Sequence, residues 1–203
     1  MAKRLLPEWH PQDAVQLTWP GPESDWAPLL ERIEATLETL VVAIARYQRV
    51  LVSVPDTATR THLVGRFSSL GVPAERLTLV VAESDDTWAR DHGPLAVEER
   101  GELRLHDYVF TGWGGKFPAG VYACPVSERG LVLEGGAIES DGAGTLLTTE
   151  ACLLNPNRNP GLDRTAVEDW LHEDFGVTRV LWLAHGHLEG DDVAAAIGDV
   201  DRE

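Results

Sequence analysis

The tightest constraint on the fold is the way strand-like and helix-like periods alternate along the chain. RVLVSV at 49–54 is an unbroken apolar run rich in β-branched residues, which predicts a buried strand. TATRTHLVGRFSSLG at 57–71 has helical spacing with Gly71 to close it, and RLTLVVA at 76–82 returns to strand. The connections then change character. GPLAVEE (93–99) and ELRLHDYVF (102–110) flank the Arg100-Gly101 turn and predict a β-hairpin. GLVLEGGAIES (130–140) and GTLLTT (144–149), with DGAG between them, predict a second. GLDRTAVEDWLHEDFG (161–176) reads as a helix, with Asp163 as N-cap and Gly176 as C-terminal stop, and TRVLWLA (178–184) as a strand.

Helix-linked strands mixed with hairpins exclude a doubly wound parallel sheet. They predict an α/β (α+β) chain of repeated small sheet-plus-helix units. The helix expected over 28–46 carries apolar residues at 29, 33, 37, 40, 41 and 44, one core-facing stripe rather than a cofactor box. At 203 residues the chain suits a single domain, or a domain with an incomplete second part, and can bury a real core.

A formal net charge of −16 argues against nucleic acid and anionic membrane surfaces as partners and suits a small cation. No apolar run reaches membrane-spanning length, and MAKRLLPEWHP lacks the apolar core of a secretory signal, so a cytoplasmic location is expected. Cys124 and Cys152 are too few and too far apart for a disulfide framework or a metal site, and read as buried thiols.

Three polar clusters sit at strand ends. DDTWARDHGP (85–94) gathers carboxylates, an arginine, a histidine and a tryptophan. FTGWGGK (110–116) adds glycines that admit close backbone approach and an indole that offers a flat wall. It has neither dinucleotide spacing nor a Walker lysine motif. Leu133-Glu134-Gly135-Gly136 places a carboxylate before two glycines, and NPNRNP (155–160) reads as turn chemistry. A guanidinium would unite them, because carboxylates pair with its edges and aromatic rings cover its faces. Asp91, Glu134, Trp88 and Trp113 are the residue types for that task.

Taken in order, DDTWARDHGP, FTGWGGK, LEGGAIESDGAGTLLTTEACLLNPNRNP and HGHLEGDD resemble the agmatine deiminase and Porphyromonas-type peptidyl-arginine deiminase family, and PEWHPQDAVQLTWP resembles its opening segment. The likeness runs from about residue 7 to 192. It implies a pentein fold, an α/β-propeller of ββαβ-type blades. It also implies metal- and cofactor-free hydrolysis of a guanidino group to a ureido group and ammonia, with a small cationic guanidino compound as substrate. Carried over by motif, Asp91 and Glu134 are the expected catalytic carboxylates. Trp88 and Trp113 join them as substrate-binding residues. Arg90 is expected either beside Asp91 or as a surface residue, and His92 as a loop histidine.

The family continues its GDD motif into a catalytic histidine and a further acid, and carries its nucleophilic cysteine near the C-terminus. Gly190-Asp191-Asp192 is instead followed by VAAAIG, and neither Cys124 nor Cys152 lies in such a motif. The expectation is either a deiminase-like chain whose later blades are missing, acting on agmatine or alternatively on peptidyl-arginine, or a shortened guanidinium-binding chain without catalysis. In both cases it is inactive alone, with exposed edges that favour marginal stability or self-association into a homo-oligomer.

Overall fold

A computed structural model describes residues 3–82, 84, 87–115 and 131–185. These residues form an α/β arrangement of three three-stranded sheets. In the first, β2 (Ala14–Thr18), β3 (Arg49–Val54) and β4 (Leu77–Val81) run parallel, joined through α1 (Leu30–Ala45) and α2 (Thr57–Ser69). In the second, β1 (Lys3–Leu5), β5 (Leu95–Glu99) and β6 (Glu102–His106) are antiparallel, with Val97 opposite Leu5 and Arg104. The third is mixed. β7 (Ile138–Ser140) pairs antiparallel with β8 (Thr145–Thr149), which pairs parallel with β9 (Arg179–Leu183). Two further helices are α4 (Glu150–Leu153) and α5 (Arg164–Phe175), and the four-residue α3 (Ala89–His92) follows β4.

Local chemistry explains most of these boundaries. Asp56 and Asp163 cap α2 and α5 by accepting the amides of Thr59 and Ala166. Gly176 closes α5 in the left-handed conformation with its amide on His172 O. Both hairpins form, and β3 spans the expected residues. Two short strands, β1 and β2, were not foreseen.

Three expectations change. The stripe expected over 28–46 holds at Leu37, Val41 and Ile44, joined by Val42 and Ala45, but Leu29 and Leu40 are exposed. Residues 107–110 do not extend β6, since the chain turns inward at Tyr108 to bury its ring beside Trp170 and Phe175. Within 131–140 the named strand is Ile138–Ser140, with an isolated bridge from Val132 to Val109, because Gly135–Ala137 form a 3-10 turn whose Ala137 amide donates to Glu134 O at 2.9 Å.

Two apolar clusters support the sheets. One gathers Val50, Val52, Val54, Leu63, Phe67 and Val41 around the parallel sheet. The other gathers Val97, Leu133, Ile138, Leu146, Val167, Leu171 and Phe175 between the other two sheets and α5. Asp174 is 1% exposed in that second cluster. It accepts from the Tyr108 hydroxyl and from Lys3 Nζ at 3.3 Å, with His106 Nδ1 at 3.4 Å, and so pins β1 and the end of β6 to α5. Among the described residues, no helix is long and apolar enough to cross a membrane.

The two aspartates of α5 should respond very differently to removal. Asp163→Ala deletes an exposed cap and should cost about 1 kcal/mol. Asp174→Ala strands buried partners and should cost roughly 3 kcal/mol. Denaturant midpoints of the two variants measure the difference, and equal losses would contradict the network's role.

Candidate functional site

Four segments converge: α3, the turn at Gly112–Gly115, the Gly135–Ala137 turn, and α4 with the loop after it. Asp91 lies on α3, whose start is marked by a hydrogen bond from the Trp26 indole to Thr87 Oγ1 at 2.9 Å, just before Trp88. Its Oδ1 accepts the Gly136 amide at 2.9 Å and its Oδ2 accepts the Trp113 indole N–H at 3.1 Å. A β-carbon at 136 would drive into Oδ1, so only glycine allows this approach.

Trp113 itself has φ 56° and ψ 47°, a left-handed conformation that non-glycine residues adopt at a cost. The indole bond to Asp91 and an edge-on contact with Phe110, 5.0 Å between centroids, hold it there.

Glu134 is more deeply buried than Asp91, at 4% exposure. Arg158 meets it along an edge, with Nε on Oε1 at 2.9 Å and Nη2 on Oε2 at 3.4 Å. The Cys152 thiol donates to Oε2 at 3.1 Å. Burial, and then the adjoining Glu134 carboxylate, push this thiol up to about 12 from its ordinary 9.0. Arg158 opposes that rise, and the charge of Asp91 adds to it, which ties both carboxylates electrostatically to one thiol.

The loop carrying Arg158 is anchored by Asn159. Its amide donates to Val132 O and Leu153 O, each at 3.1 Å, and its Oδ1 accepts the Val132 amide at 3.0 Å. The backbone at Gly114 lies against the same arginine: a β-carbon there would fall 2.6 Å from Arg158 Nη1.

The structure thus gathers Asp91 and Trp113 through a direct bond and sets Glu134 beside them through the glycine turn. Trp88 sits at the head of α3 with 55% of its surface exposed. Arg90 turns away from Asp91, bridging Glu8 at 2.9 Å and Ile138 O at 3.3 Å. His92 packs by Phe110. Cys152, Arg158 and Asn159 are the residues that sequence reasoning passed over. NPNRNP carries the local signature of a turn, and only the fold brings Arg158 and Asn159 to Glu134 and Val132. Cys124 and the GDD motif fall outside the described residues.

The sequence matches the family described as Porphyromonas-type peptidyl-arginine deiminase across residues 4–202. The chain belongs to this family. Its relatives include the agmatine deiminase of Stutzerimonas stutzeri, 37% identical over 198 residues, covering 88% of this chain and 52% of that protein. The agmatine deiminase of Pseudomonas savastanoi is 38% identical with the same coverage. The solved C. jejuni agmatine deiminase with substrate bound is similar in fold, with TM-score 0.80 and 30% identity, over 93% of this chain and 58% of that one. The chain therefore spans about half the length of the curated relatives it matches.

For this member of the peptidyl-arginine deiminase family, the position of Cys152 has a pH signature. Its folded value lies above the unfolded one, so its contribution to stability is complete below about 9 and disappears as pH rises toward about 12. Iodoacetamide at pH 8 should modify Cys152 on the order of a hundredfold more slowly in the native chain than in the unfolded one. Glu134→Gln should speed the native reaction by removing the neighbouring negative charge. Equal rates in native and unfolded chains would refute the assignment.

Proposed function

We propose that the chain forms the guanidinium-holding part of an agmatine deiminase-type hydrolase. The reaction read here converts agmatine, a free guanidino compound, to N-carbamoylputrescine and ammonia, a step toward putrescine. The observation that carries this reading is the Asp91 carboxylate. It is oriented by two neutral donors, Trp113 Nε1 and the Gly136 amide, and keeps acceptor capacity for a planar cation. Trp113 supplies an indole beside that carboxylate, and Trp88 is free enough of the core to pack on the apolar part of a ligand. Agmatine deiminases among the relatives favour the same substrate class. We read the three sheets as blades of a pentein propeller, the arrangement that the family resemblance implies.

In this reading a cationic guanidinium is electrophilic at its central carbon, and a thiolate attacks it while a histidine moves protons. Cys152 does not suit the attacking role, because burial and Glu134 keep it as a thiol. The 203-residue chain alone is read as binding without turnover.

Calorimetric titration with agmatine tests the binding step. Asp91→Asn should weaken it roughly 10- to 100-fold, the loss of a charge-assisted hydrogen-bond pair. Unchanged affinity in that variant would remove the reading. Ammonia release from agmatine, arginine and an arginyl peptide measures the rest: turnover by the Cys124→Ala/Cys152→Ala chain contradicts the non-catalytic assignment, and preference for the peptide contradicts agmatine as substrate.

A further inference from the structure

Glu134 and Asp91 are both carboxylates of one site, yet their surroundings differ in kind. Among the described residues, the donors on Asp91 are an indole and a backbone amide, both neutral. Glu134 instead has a guanidinium of the chain's own laid along its edge. Its carboxylate has about four acceptor positions, and Arg158 Nε, Arg158 Nη2 and Cys152 Sγ fill three of them. An incoming guanidinium could pair with the edge of Glu134 only by expelling Arg158.

We propose that Arg158 is a built-in occupant of Glu134, which makes Glu134 a positioning residue and leaves Asp91 as the carboxylate that receives an incoming monocation. The inference rests on the reading of the site as a guanidino-binding one. It gives each acid a separate duty: two negative charges, one answered internally and one left for the ligand.

Three features fix Arg158 in this post. The pair is interior, with side-chain exposures of 14% for Arg158 and 5% for Glu134, so solvent does not compete freely for either partner. The remaining nitrogen, Nη1, donates to Asn157 Oδ1 at 3.0 Å, so all three guanidinium nitrogens are engaged. Asn159, the next residue, clamps the loop to Val132 and Leu153, and Val132 lies two residues before Glu134. Carboxylate and guanidinium are thereby carried on segments bonded to one another, and the bare backbone of Gly114 leaves the room that Nη1 requires. A lysine could replace the charge of Arg158 but not its paired contact along the edge.

The test uses the whole chain labelled with 15N. The Nε–H resonance lost in Arg158→Lys identifies Arg158. The expected result is a resonance protected from solvent exchange compared with that of the exposed Arg104, and unmoved by agmatine or by millimolar guanidinium. Fast exchange, or displacement of the resonance in step with added guanidinium, overturns the proposal. A second arm uses Arg158→Ala, whose lowered melting temperature should be restored saturably by ethylguanidinium and not by tetramethylammonium at equal ionic strength. Adding Glu134→Gln should abolish that rescue. A folded Arg158→Ala chain indifferent to ethylguanidinium also overturns it, and if that variant does not fold, the resonance decides alone. Loss of the agmatine reading is distinguishable: a protected Arg158 resonance with no agmatine binding sinks the substrate, whereas agmatine binding that displaces Arg158 sinks only the role given to the arginine.

Discussion

A carboxylate as deeply buried as Glu134 needs a counter-charge, because desolvation of an unpaired anion costs several kcal/mol or more. Much of the site's architecture answers that one requirement. Arg158 must reach inward from a loop, so the loop must be held, and Asn159 holds it to the backbone on both sides. The arginine must lie against the Gly112–Gly115 turn, so residue 114 carries no side chain. That turn in turn sets Trp113 in its left-handed conformation, where its indole reaches Asp91. The path from the buried Glu134 to the oriented Asp91 carboxylate passes through four segments distant in sequence.

Much of the scaffold was legible locally. The periods at 49–54, 57–71 and 161–176 correspond to β3, α2 and α5, and both aspartate caps do what their residue type predicts. Local signals failed where tertiary contacts decide. LVLEGG looks like a strand, but Gly135 faces the Arg90 carbonyl so closely that no side chain fits, and the chain turns there. The strands β1 and β2 are short, and β1 exists through pairing with β5 across more than ninety residues, which no local window can register.

The candidate site divides along the same line. Asp91, Glu134 and Trp113 could be singled out as types suited to a guanidinium, and the structure places them together. Arg158 could not, because NPNRNP has every property of a turn and an arginine in a turn is usually solvated. Only the three-dimensional pairing shows that its guanidinium belongs to the interior. Cys152 was set aside as a buried thiol, and it is partly that; its contact with Glu134 is nevertheless what places it in the site.

This arrangement sharpens what residue type can say about a charged pocket. Two acids near one another suggest two contacts to a cation, but an acid's capacity depends on which donors already face it. Neutral donors orient a carboxylate and leave its charge to act on a ligand; a guanidinium orients it and cancels that charge. Asp91 belongs to the first kind and Glu134 to the second. The Cys152 thiol touches Glu134 and is raised first by burial and then by that carboxylate, with Asp91 adding to the rise and Arg158 opposing it.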